Sequence, residues 1–227
     1  MDSLRLPGGF AAAWLAPVLL VAPVVARNPA TAPGPGAASR APARVAVLVA
    51  DAADVRVRMV GEAATFWNET VSDLGLPAAF AEPLSATPPS GLRPFENYAH
   101  QLSQLAGRLH SSAPGPAPPP ALLGLDAEVV VLLSAQALMP FAWPYADDGR
   151  HFVAVPAGDE RDHVVRNVIA HELGHVLGLQ HVREPGVLMC QPCDTSAAAG
   201  GGDGPRFLPL TDIDRERLRA FLGRSGP

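Results

Sequence analysis

The chain contains no lysine; all 17 of its Lys/Arg residues are arginines, set against 22 acidic ones for a formal charge of -5. Scattered arginines in a mildly acidic chain (isoelectric point about 5.8) do not mass into the basic patch that phosphate binding needs, so no nucleic-acid partner is expected. Cysteine is nearly absent too. Cys190 and Cys193 are the only two, which leaves no thiol near the N-terminus for a lipid anchor. A long apolar run is also missing: the best one, residues 10–25, is sixteen residues long and contains Pro17 and Pro23. As a helix it would reach roughly 24 Å, short of the ~30 Å hydrocarbon core, so a retained membrane anchor is the weaker reading. Arg5 before it and Val24-Val25-Ala26 at its end read instead as an export signal, residues 1–26, cleaved after Ala26. The expectation is a secreted or periplasmic protein that meets the membrane only in transit. No internal repeat is visible.

A chain of 227 residues that is 48% hydrophobic can bury one good core. Residues 27–43 (RNPATAPGPGAASRAPA) cannot contribute to it and are expected to form a disordered linker. The folded domain is therefore placed at 44–222, with a short tail at 223–227. Residues 44–50 (RVAVLVA) predict a buried strand, and 55–74 an amphipathic helix using Val60, Ala64, Phe66 and Trp67. A Pro-rich stretch, 83–94, closes that unit. A second helix is expected over 94–110, then a Pro/Gly loop, then the clearest strand at 127–135 (AEVVVLLSA). Two short extended pieces follow at 137–143 and 151–155. Residues 162–179 predict a helix with an apolar stripe of Val165, Ile169, Leu173, Val176 and Leu177, and Thr211 reads as the N-cap of a last helix ending at Leu222. Ile213, Leu218, Phe221 and Leu222 are expected to pack that helix down. Residues 195–205 read as a surface loop.

The chemistry is carried by HELGHVLGLQH. His171 and His175 stand four residues apart on the predicted helix, so both imidazoles leave one face and can hold one ion. Glu172 lies about 100° round the helix, a position suited to touching a water beside the metal rather than the metal itself. Gly178 can adopt the left-handed conformation that ends the helix and turns the chain back, which brings His181 in as a third ligand. Three neutral nitrogens leave a fourth position open, and that opening separates a catalytic zinc from a closed structural one.

This pattern, with Met189 eight residues past His181 and Pro185-Gly186 between, resembles the metzincin zinc metalloproteases, in particular their matrixin branch. Weaker likenesses extend over residues 44–222: FWNET resembles the first matrixin helix, DAEVVVLL and ALMPFAWP two of its strands, and LTDIDRERL its closing helix. The resemblance implies an α/β (α+β) zincin fold: a twisted, mostly parallel sheet, an active-site helix, and a small C-terminal subdomain after Gly178. It also implies Met189 as a floor beneath the ligands, one catalytic Zn2+, and a peptide or protein substrate. Three departures stand out. No cysteine is present to cap the zinc from a propeptide; Pro140 stands where a structural-zinc histidine would be expected near His151; and calcium, common in the family, can be assigned to no residue.

The spacing of Cys190 and Cys193 predicts a local disulfide, with zinc capping by Cys190 as a further reading. Asn68-Glu69-Thr70 is a formal glycosylation sequence inside a predicted helix. The reading that follows is a monomeric zinc endopeptidase with Glu172 as general base; the alternative is an exported zinc-binding interaction protein without turnover.

Overall fold

A run such as Val129–Leu133, in which all five side chains are apolar, can be a strand only if both faces of its sheet are covered. The computed structural model meets that condition. It describes residues 41–88, 91–106, 115–157, 161–191 and 206–223, all within one compact unit at 34–227. The described strands are β1 (Val45–Leu48), β2 (Leu84–Ala86), β3 (Val129–Leu133), β4 (Phe141–Pro144) and β5 (His151–Val155). They form one sheet in the order β2-β1-β3-β5-β4, in which only the β4–β5 pair is antiparallel. The sheet is thus mostly parallel, as expected, and β4 is an edge strand.

Alternation along the strands sends side chains to two separate cores. Val45, Val47, Val129, Val131, Leu133, Val153 and Val155 face α1 (Val55–Asp73) and α4 (Asp162–Val176). Leu48, Val130, Leu132, Phe152 and Ala154 face the opposite way, with Phe95, Tyr98 and Leu102 of α2 (Arg93–Ala106) and Leu122 of α3 (Pro120–Leu123). Helix α1 is capped by Asp54, whose carboxylate accepts from the Arg56 amide, and the Arg56 guanidinium then donates to the Ser134 and Pro156 carbonyls at 2.9 Å. One side chain thereby ties α1 to the ends of β3 and β5.

The first helix, the main strand and the active-site helix stand close to their predicted limits, whereas β2 and α3 were not foreseen. β2 is three largely exposed residues that pair with β1 alone, and α3 is one turn inside the Pro-rich loop with Pro120 at its start. Neither carries a periodic apolar signal. Strand β4 begins at Phe141, so Pro140 lies before it and Pro144 is the residue paired with His151. In α5 (Asp212–Gly223) the Thr211 cap is correct: its hydroxyl accepts from the Asp214 amide at 3.1 Å while the Asp214 carboxylate accepts from the Thr211 amide. Leu218 packs as expected, but Ile213 is 55% exposed and faces solvent. Asn68 is committed to structure, its amide donating to Phe80 O at 2.8 Å and accepting from the Ala79 and Phe80 amides. The segments at 1–40, 89–90, 107–114, 158–160, 192–205 and 224–227 lie outside the described residues, and with them the signal segment, most of the linker, the end of the second helix expected over 94–110 and the loop expected at 195–205. Among the described residues no helix is long and apolar enough to cross a membrane.

Candidate metal centre

Helix α4 ends at a glycine because its last turn needs a positive φ. Gly178 has φ +78°, its amide donates to His175 O at 3.0 Å, and the Leu179 amide reaches back to Gly174 O at 3.1 Å, the paired bonds of a Schellman cap. A Cβ at Gly178 would also meet the Phe221 ring at 2.7 Å, so α5 presses on this turn. The chain then reverses and carries His181 back over α4. A second reversal at Gly186, φ +79°, returns the segment 188–191 alongside it, where the Val182 amide donates to Met189 O at 2.8 Å and the Gln191 amide to Val182 O at 2.9 Å.

These reversals bring three imidazole nitrogens together. His175 Nε2 lies 3.1 Å from His171 Nε2 and 2.9 Å from His181 Nε2, and the latter two are 3.1 Å apart. His171 and His175 cannot be hydrogen-bonding each other through these atoms. His171 Nδ1 donates to Leu188 O at 2.7 Å and His175 Nδ1 donates to Leu179 O at 2.9 Å, which places the proton on Nδ1 and leaves a lone pair on each Nε2. Converging lone pairs need a cation between them. A tetrahedral zinc with bonds of 2.0–2.1 Å would separate its nitrogen ligands by ~3.3 Å, close to the observed triangle. The donor set fits zinc, and the two backbone carbonyls are the partners that fix ring orientation. Sequence spacing gave the three ligands but could not show Leu179 and Leu188, whose contribution is a carbonyl.

Burial keeps the rings neutral. It lowers the His171 ring to about 4, against the upward pull of its bond to Leu188 and with help from His175 and His181; His175 and His181 are lowered by burial as well. Burial also pushes the Glu172 carboxyl up to about 8, while the Ala142 amide, donating to it from β4, works the other way. Helix α4 packs against β4, the edge strand to which Ala142 belongs. Met189 is fully buried, and a Cβ on Gly174 would come within 2.6 Å of its sulfur, so the thioether lies directly against the turn between His171 and His175.

Cys190 is disulfide-bonded, which removes the thiolate that zinc capping would require; the only other cysteine, Cys193, lies outside the described residues. Among the described residues the three histidines are the one cluster able to hold a metal, so no second zinc set gathers around His151, whose Nδ1 donates to Gly149 O at 2.9 Å. Away from the histidines, Glu62 on α1 binds Arg58, Arg166 of α4 and Arg206 together; burial raises its carboxyl, but the three guanidinium groups outweigh that and hold it at about 2. Beside it a hollow of about 750 Å³ runs between α1, residues 81–83 and Arg206-Phe207, and no ligand histidine lines it.

A mostly parallel sheet bearing a helix with two histidines and a buried glutamate, a third histidine after a glycine turn, and a buried methionine beneath defines the zinc-metallopeptidase class of domain. Residues 94–199 match the family described as Matrixin. Among solved structures it is similar to metalloproteinase-II from Bacteroides fragilis, at 14% identity and a TM-score of 0.43 over 80% of this chain and 54% of that one. It is also similar to a zinc-dependent peptidase from Methanocorpusculum labreanum, at 16% identity and a TM-score of 0.37 over 77% of this chain and 99% of that one. This chain therefore spans about half the length of the Bacteroides chain. Neither structural likeness is close. No curated protein matches the chain.

Proposed function

We propose that this chain is an exported zinc-dependent endopeptidase in which Glu172 is the general base. The observation that carries it is the convergence of three histidine Nε2 atoms within 3.1 Å of one another, with lone pairs on those of His171 and His175, next to the buried Glu172. His171, His175 and His181 would hold the ion, which supplies the Lewis acidity that lowers the pKa of water toward ~7 and polarises the scissile carbonyl. Glu172 takes the proton of the attacking water and passes it to the leaving amine nitrogen. The Ala142 amide holds the carboxylate in place for both transfers. An extended peptide pairs with the outer edge of β4, and side-chain selection falls to the loop after Met189. Export rests on residues 1–26.

Cleavage of a broad peptide library by the full chain tests the reading. Chelator-sensitive cleavage by the wild type and none by Glu172→Gln is the expected result; bound zinc with no cleavage by the wild type would instead favour the interaction protein without turnover.

A further inference from the structure

Resting on the zinc-site reading above, we infer that Trp67, 104 residues before the first ligand, is a positioning residue for the metal centre: its indole N–H fixes the turn of α4 from which His171 and Glu172 project. Trp67 is fully buried on α1, and its Nε1 donates to Ala170 O at 2.9 Å. Ala170 immediately precedes His171. As a helix carbonyl it is the regular acceptor for the Gly174 amide, so the indole takes the second lone pair of an oxygen that is already satisfied. The bond is therefore not required to rescue a buried acceptor. What it adds is direction, since a donor fixed by a packed ring resists rotation and sliding of the α4 backbone at that carbonyl.

The same ring grips the next residue that matters. A Cβ on Gly174 would stand 2.9 Å from Trp67 Cζ2 and 2.6 Å from the Met189 sulfur, so the indole and the thioether both close on the bare backbone at Gly174, the residue before His175. Ala170 and Gly174 frame the turn that presents His171, Glu172 and His175. Metal and catalytic constellations need their side chains held within about 0.5 Å and 10–20°, and the donor at Ala170 together with the clamp at Gly174 supplies that hold on the α4 side. Leu188 O and Leu179 O orient individual rings; Trp67 orients the helix that carries them.

The test compares full-length wild type with Trp67→Phe, which keeps an aromatic ring and loses the donor, and with a chain carrying 3-benzothienylalanine at 67, which replaces the N–H by sulfur at nearly constant shape. The readouts are the zinc dissociation constant by chelator competition and the visible spectrum of the cobalt-loaded protein. Phe95→Leu, in the core on the other face of the sheet, serves as the control for general destabilisation. The expected result is zinc binding weakened about tenfold at position 67, in line with losses at groups one step removed from a metal, with a shifted cobalt spectrum and neither effect in Phe95→Leu. A folded benzothienyl chain whose zinc affinity and cobalt spectrum match the wild type would overturn the inference, as would an equal loss in Phe95→Leu. A wild type that binds no zinc would overturn the site reading itself, a separate outcome from either.

Discussion

The two faces of the sheet differ in what their polar groups do. On the α1/α4 face, polar side chains join one element to another: Trp67 to Ala170, Glu62 to Arg166 and Arg206, Asn167 to the Leu208 amide at 2.8 Å. On the α2 face the links lead elsewhere: the Glu96 carboxylate accepts from the Ala135 amide at 3.1 Å and the Ser103 hydroxyl from the Met139 amide at 3.0 Å, while burial pushes the Tyr98 hydroxyl up to about 12. Both faces bury enough apolar surface to hold the sheet. Both also carry directional bonds, but among the described residues those that reach the helix carrying His171 and His175 come from the α1/α4 face. Apolar burial is non-directional, so a site that must place three nitrogens needs directional bonds beneath it as well.

Five changes would break or sharpen this comparison, in falling order of effect. Glu172→Gln should lower kcat by about 10²–10⁴, the usual worth of a general base, with zinc content unchanged; steady-state kinetics beside metal analysis checks both. Gly174→Ala and Gly178→Ala follow. The first drives a methyl into Met189 and Trp67, the second forces a side chain to φ +78° against Phe221, and each should destabilise by about 1–3 kcal/mol in denaturant titration. Both should weaken zinc as well, because they disturb the ligand turn.

Glu62 gives the pH dependence. Its folded carboxyl lies near 2 and its unperturbed value is 4.5, so its stabilising contribution is complete above about 4.5 and is lost as pH falls toward 2. The window is worth on the order of 2–3 kcal/mol, and Glu62→Gln should flatten the stability curve between those limits. The smallest effect should come from Phe95→Leu on the other face, about 1 kcal/mol by thermal unfolding with zinc affinity unchanged. A matching loss of zinc there would erase the distinction between the faces.

Much of the site is legible in the sequence because its parts are local. His171, His175, Gly178 and His181 fall within eleven residues, so helix geometry and one positive-φ position decide how they meet. Helices α1 and α4 and strand β3 were legible for a related reason, since each carries an apolar pattern long enough to be read. The residues that support the site were not. Trp67 reads as one more core residue of an amphipathic helix, and nothing in the sequence pairs it with Ala170. Arg58, Arg166 and Arg206 are three of many scattered arginines until the fold draws them onto Glu62. Ile213 misleads in the other direction: an apolar residue at the start of a helix suggests packing, but α5 turns it outward.

The most direct test of the account is zinc-edge X-ray absorption on the full chain loaded with one equivalent of zinc. The account predicts three imidazole nitrogens and one further light atom at about 2.0–2.1 Å, reduced to two imidazoles in His181→Ala. Sulfur scattering near ~2.3 Å, or a spectrum unchanged in that variant, would contradict it.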